Sequence, residues 1–521
     1  MRTRNLVLTS SCLAALLAVS GCASSSSAGT QQSQDLTLAV ASEPVGLDPS
    51  VAANGNTSSW FVDLAYQSLI SHDENGELAP GLAEKWEFVG GGHKQLKVTL
   101  RPGLKFADGT DLRAKDVVAS IEYFKKGSGP SSVYFKDLEL EAASDLEVLI
   151  SSPDENPLLP SLLTPKYMGG GIISPKGLED PDALNASTFG AGPYQLDAAQ
   201  TVSGDQYVYV PNENYYDPGA VKFEEVTIRI IPNVTSQVQA LKTGQIDLMQ
   251  GDVSVMSDVT GESKLSVTSS PTFWNGLYFA DRDGKVSPAL ADERVRQALN
   301  YAIDREAIAK AAYGEYGSAE SQPMVPGDPT FGYDEELTDY YAYDPQKARD
   351  LLAEAGYADG FTLSIPYKAS QAPSTKMVQS IAAQLEEVGV KVTLEPGANT
   401  GEWVSKLVSL QHGAFQQDSS GRPMILAAEM GWLPGGVLNP FNVKDADIKG
   451  AYDALVGAGE DPDGAKAKEM MRVLVEKAIT LPVAKADEIF VYDNTKLRDI
   501  DFIGDSPKLS YVYDWEPANA G

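Results

Sequence analysis

Cysteine is almost absent. Only Cys12 and Cys22 carry thiols among 521 residues, so everything after position 22 folds without a disulfide and without a thiolate nucleophile or metal ligand. Histidine is scarce too: His72, His93 and His412 lie far apart in sequence. No HExxH, Walker A or GxSxG motif occurs. Asp281-Arg282-Asp283-Gly284 opens like a calcium loop, but its glycine comes too early for an EF-hand. These absences disfavour an enzyme and give no reason to expect a metal or a cofactor. Basic residues are the minority, 41 against 72 acidic, and the net charge of −31 argues against nucleic acid or an anionic membrane surface as partner. Long apolar runs are missing as well: nothing approaches the roughly 20 residues that span a bilayer as a helix.

What is present begins with targeting. Arg2 and Arg4 precede an apolar run from Leu13 to Val19 and a short small-residue segment, the three-part layout of a signal peptide. Val19-Ser20-Gly21-Cys22 resembles the lipobox of bacterial lipoproteins. The resemblance implies cleavage after Gly21, so that residues 1–21 are lost, and a lipid on the Cys22 sulfur. The Ser-rich stretch that follows completes a flexible tether over 22–34. The expected mature chain has 521 − 21 = 500 residues, and its charge falls to −33 with the loss of Arg2 and Arg4. At roughly 100–200 residues per domain, two or three domains are expected, and 43% hydrophobic residues suffice for sizeable cores.

Strands and helices alternate, an α/β plan. Asp35–Val40 and Lys97-Val98-Thr99-Leu100 read as strands, the latter ending in a Pro-Gly turn. Val117, Val118, Ile121 and Phe124 recur at helical spacing. A helix from Ser236 stops at Gly244, and Ile246-Asp247-Leu248 resumes an extended pattern. In RVRQALNYAIDREAI, residues 294–308, Val295, Ala298, Leu299, Ala302 and Ile303 form one buried stripe. Asp292 and Asp304 are placed to cap successive helices there, while Asp344, Pro345 and Gly356 delimit a third.

Those residues, together with LAPGLAEKW (78–86), DGTDLRAKDVVASIEYF (108–124), GAGPYQL (190–196), VQALKTGQIDL (238–248) and YDPQKARDLLAEAGY (343–357), carry a resemblance across nearly the whole mature chain. It is to the extracytoplasmic solute-binding proteins of peptide and nickel ABC importers, family 5, of the dipeptide- and oligopeptide-binding type. Arg113 departs from the pattern, which usually has a helix-capping threonine there. The resemblance implies a type II periplasmic-binding-protein fold. Lobe I comprises 35–56, 190–272 and 481–521, with an inserted subdomain at 57–189, and lobe II comprises 273–480. Chain crossings near Pro271–Asn275 and Thr480–Pro482 form the hinge. The implied function is capture of a small, peptide-like solute between the lobes and its delivery to permease and ATPase subunits by a lipid-anchored, extracytoplasmic monomer. An oligosaccharide or metal chelate as cargo, or a lipid-anchored hydrolase, are the alternatives.

The same resemblance implies the ligand contacts. Asn56, Thr57 and Trp60 follow the first strand on the lobe I side. Trp274 and Asn275 follow the first crossing, and Lys368 lies near where peptide-binding relatives place a cation for the ligand carboxylate. Met430, Gly431, Trp432 and Leu433 match a family segment that reaches the ligand. Peptide-binding relatives carry an aspartate shortly after that tryptophan to hold the ligand amino group. Here Leu433-Pro434-Gly435-Gly436 offers no carboxylate, which implies N-blocked peptides, longer peptides held along the backbone, or uncharged solutes.

Overall fold

The computed structural model describes residues 35–52, 56–459, 461, 463–498, 500–503 and 511–518. Cys22, the signal segment and the tether fall outside these residues. Among the described residues no helix is long and apolar enough to cross a membrane, and no group of three or more His, Cys, Asp or Glu side chains could hold a metal ion.

Residues from Gln34 onward form one compact unit organised on a mixed nine-stranded sheet. Its order is Ala414–Ser420, Leu265–Phe279, Thr480–Asp493, Leu248–Gln250, Asp35–Val40, Glu225–Ile230, Gln206–Pro211 and Tyr194–Leu196, with Gly317–Ala319 also paired to Thr480–Asp493. Asp35–Val40 is parallel to both its neighbours, and the other pairs are antiparallel. The expected Ile246–Leu248 strand starts at Leu248; Asp247 leads into it, its amide donating to the Thr37 carbonyl at 2.7 Å.

Two strands, 265–279 and 480–493, run side by side over almost their full length. Each changes its other neighbour partway along. Residues 273–279 pair with 414–420, whereas 265–271 do not. Residues 490–492 pair with 248–250, whereas 484–486 pair with 317–319. The first change coincides with a register shift between Pro271 and Phe273. That is what a proline, which has no N–H to give the ladder, imposes inside a sheet. On the second strand the change falls between residues 486 and 490, about one turn of chain later than the Thr480–Pro482 crossing implied by resemblance.

The RVRQALNYAIDREAI stretch forms two capped helices, Glu293–Tyr301 and Arg305–Tyr313, with Asp292 and Asp304 accepting from the Arg294 and Ala307 amides at 2.9 and 3.0 Å. Its apolar stripe is fully buried. So are Arg296, Asn300 and Arg305, which no periodicity argument puts inside. They serve as staples: Arg305 donates to the carbonyls of Glu320, Pro482, Asn300 and Tyr341 and to Asn300 Oδ1. Burial alone pulls its pKa down to about 10, and five neutral acceptors keep a cation in the core satisfied. At Arg113 the missing threonine cap is offset by Asp116 Oδ2, which accepts the Arg113 amide at 2.9 Å. The Arg113 guanidinium binds Asp145 and Asp111 instead.

Among the described residues packing is divided among four hydrophobic clusters. The largest combines strands near both termini with most of 57–189, where a four-stranded antiparallel sheet (83–88, 95–100, 147–151, 139–142) stands apart from the main one. Two others lie on opposite faces of the sheet in the 273–486 region: one holds Leu277 and Phe279, the other Trp274 and Tyr278, as strand alternation requires.

Candidate binding cleft

Where strands 361–368 and 414–420 end beside residues 273–275, a polar network replaces the apolar stripe. Asn275 sits opposite Asp418 in the ladder. Its amide donates to Tyr313 Oη at 2.6 Å and accepts from Gln416 Nε2 at 3.0 Å. Gln416 Oε1 takes the Lys368 backbone N–H at 3.1 Å. Lys368 Nζ lies on Asp418 and 4.7 Å above the Trp403 ring. Asn275 and Lys368 are thus joined through Gln416, and the lysine's charge is already neutralised by Asp418, 50 residues further along the chain.

The neighbouring wall is the helix Met424–Gly431. Ile425, Leu426 and Glu429 on this helix, spaced i, i+1, i+4, and Arg422 two residues before it, all line a cavity of about 1190 Å³. The opposite wall comes from 57–189, including Tyr134, Asp137, Asp154 and Asn156. A smaller cavity of about 480 Å³ shares Pro157 and Ile425 with it and continues towards His72, Lys166 and Phe331. Between the two walls, Lys166 Nζ donates to the Gly421 carbonyl at 3.0 Å and lies 4.9 Å over the Phe331 ring. Among the described residues Arg422 meets neutral groups: Ser420 O at 3.5 Å, Ser420 Oγ at 3.4 Å, Met430 Sδ at 3.0 Å and the Tyr134 side chain. Tyr134 stands beside it; burial raises that phenol above its usual value, and the Arg422 charge works against the rise. Glu429 accepts from Tyr452 Oη at 2.6 Å.

The remaining expected contacts lie as follows. Met430 lines the cavity. Gly431 ends the helix, where a Cβ would come 3.2 Å from Tyr278 Oη. Trp432 and Trp274 are each only 2% exposed and belong to the same core cluster, with Leu433 packed against it; neither indole presents a face to a solute here. Trp60 packs 5.6 Å from Phe490. Asn56 and Thr57 start the helix Asn56–Asp63, and their side chains fall outside the described residues. Residues that sequence reasoning missed are Arg422, Tyr134, Gln416, Asp418 and Tyr452. None of them carries a local signal in the sequence.

The chain belongs to the bacterial extracellular solute-binding proteins, family 5, whose model matches residues 77–432. It is 25% identical over 523 residues to heme-binding protein A of Haemophilus influenzae, covering 90% of this chain and 92% of that one. It is also 29% identical over 367 residues to the glutathione-binding protein GsiB of Escherichia coli, covering 69% of this chain and 68% of the other. The solved substrate-binding protein CtaP of Listeria monocytogenes superposes with a TM-score of 0.78 at 20% identity, covering 93% and 99% of the two chains. Family, fold and extracytoplasmic class thus agree with the resemblance read from sequence.

Proposed function

We propose that this protein is the cargo receptor of an ABC importer. It captures a peptide-like solute between two lobes and presents it to permease and ATPase subunits as a monomer tethered through a lipid on Cys22. The observation that carries this reading is the 1190 Å³ cavity, walled on one side by 57–189 and on the other by 422–457, a volume suited to a small solute. A relative named for glutathione binding supports peptide-like cargo. We place the lobes at 35–56, 190–272 and 481–521 (lobe I, with 57–189 inserted) and 273–480 (lobe II). The partner change on strand 480–493 favours moving the second crossing to about residue 487. Ligand touching both lobes favours the closed state by its differential affinity.

Mass spectrometry of the solute released by denaturing the purified protein tests the cargo. A peptide-like mass is expected, and a sugar or metal chelate would overturn that part. The anchor is tested separately: Cys22→Ser should move the protein from the membrane to the soluble fraction with solute binding intact, because the lipid lies outside the fold. Retention of the variant on membranes after a high-salt wash would contradict the anchor.

A further inference from the structure

The two walls of the cavity touch, and the contact is built from both sides. Lys166 belongs to the 57–189 wall and is carried on the short 3₁₀ turn Pro165–Tyr167. That turn has a fixed base. Tyr167 is buried, with its ring 5.7 Å from that of Tyr134, and the Thr164 hydroxyl donates to the Ser161 carbonyl at 2.7 Å. Gly170, just beyond, packs so closely on Leu163 that a Cβ would come 1.9 Å from the Leu163 carbonyl oxygen.

On lobe II the lysine meets a socket for a cation. The Gly421 carbonyl accepts from Nζ at 3.0 Å, and the centre of the Phe331 ring lies 4.9 Å away. A carbonyl dipole and the negative face of a ring both attract an ammonium. The pair depends on glycine at 421: a Cβ there would come 2.6 Å from the Phe331 ring and 2.8 Å from Val325, so a larger residue would push ring and carbonyl apart. Gly421 is in turn tied to the first chain crossing. Its amide donates to the Thr272 carbonyl at 3.3 Å, and Thr272 is the extra residue of the register shift between Pro271 and Phe273. One position on, the Arg422 side chain meets Tyr134. Two neighbouring residues of lobe II are thus gripped by Lys166 and by Tyr134, whose ring packs on the residue after that lysine. Lys166 lines the smaller cavity and not the larger one assigned to the solute. Separating the lobes breaks its contact whether or not a solute is present.

We infer that Lys166 is a latch: seated on the Gly421 carbonyl and the Phe331 ring, its ammonium stabilises a closed form of the receptor that needs no solute. This rests on the two-lobe reading above and adds to it. A solute that binds the closed form then has less of the closure to drive, because its apparent affinity scales with the fraction already closed.

The latch is read without any solute. Asp137 and Val437 are exposed and line the larger cavity from opposite walls. The full chain carrying Cys12→Ser, Cys22→Ser, Asp137→Cys and Val437→Cys, spin-labelled and dialysed free of solute, gives the distance across the cavity by pulsed electron paramagnetic resonance. The parent should show a short, closed distance beside a longer, open one. Lys166→Met removes a charge-assisted hydrogen bond and a ring contact, and should lower the closed-to-open ratio about tenfold. Lys97→Met removes a charge from the same wall at a residue that lines neither cavity and is held by Glu87; it should leave the ratio unchanged. Phe331→Leu should lower the ratio as well, and in that background Lys166→Met should do less, since both remove one contact. Melting temperatures well above room temperature show that each variant is folded. A parent with the open distance alone would overturn the latch. So would a Lys166→Met distribution that coincides with a two-distance parent, an equal loss in Lys97→Met, or effects of Lys166→Met and Phe331→Leu that simply add. A single short distance in the parent and every variant would instead overturn the lobe separation on which the latch rests.

Discussion

At Lys485 a single side chain balances a buried charge. Its Nζ donates to Tyr333 Oη at 2.7 Å and lies 3.4 Å from Glu320, whose carboxylate is fully buried and also takes the amides of Ser321 and Gln322. Burial raises the Glu320 pKa above 4.5, and Lys485 is the leading influence holding it down. Lys485→Met removes the cation in contact with that carboxylate and leaves only the electrostatic influence of Arg305, which should cost about 3 kcal/mol. The sign with pH follows from the raised value. A carboxyl that holds its proton more tightly folded than unfolded favours the fold fully below about pH 4.5 and loses that contribution as pH rises through its folded value. Denaturant melts at pH 4 and pH 7 should show the variant's deficit growing towards pH 7; an equal deficit at both would contradict the account. Little of this was legible in the sequence. Lys368 could be picked out as a cation, but Asp418, which neutralises it, and Glu320, which needs Lys485 from 165 residues away, become neighbours only through the sheet.

At the scale of elements, helices were the legible part. Their ends carry their own chemistry, as in the Asp344 cap, Pro345 at the first turn and the left-handed Gly356 after the last one. Strand 265–279 was not legible as one element, because the extra residue Thr272 breaks the alternation a reader would count; a second register shift, at Asn275–Gly276, puts its extra residue on the partner strand. The second shift lies at Gly276, where a Cβ would come 2.2 Å from the Leu481 carbonyl oxygen and 2.7 Å from Pro482 Cα. Both are backbone atoms of the adjacent long strand and cannot swing away. Gly276→Ala should therefore destabilise by about 2 kcal/mol or more, read as a lower urea midpoint at unchanged slope. A midpoint equal to the parent's would show that the two strands are not held this closely. The Met-Gly-Trp triplet divides between cavity and core, since Met430 lines the cavity while Trp432 is buried. It ends a helix, and its tryptophan turns into the core, whereas Ile425, Leu426 and Glu429 of that helix, with Arg422 just before it, line the cavity.

For the whole molecule, the central claim is that a solute draws the 57–189 wall and the 422–457 wall together. The chain is well suited to a direct measurement, since Cys12 and Cys22 are its only thiols. With both changed to serine, cysteines can be introduced at Val133 and Val437, which line the cavity from opposite walls and are 64% and 58% exposed. Spin labels at these two positions, read by pulsed electron paramagnetic resonance, report the distance across the cavity with and without a peptide pool at a concentration that calorimetry shows to be saturating. Closure predicts a broad distribution without peptide that becomes shorter and narrower with it; distributions that coincide while the peptide is bound would contradict the mechanism.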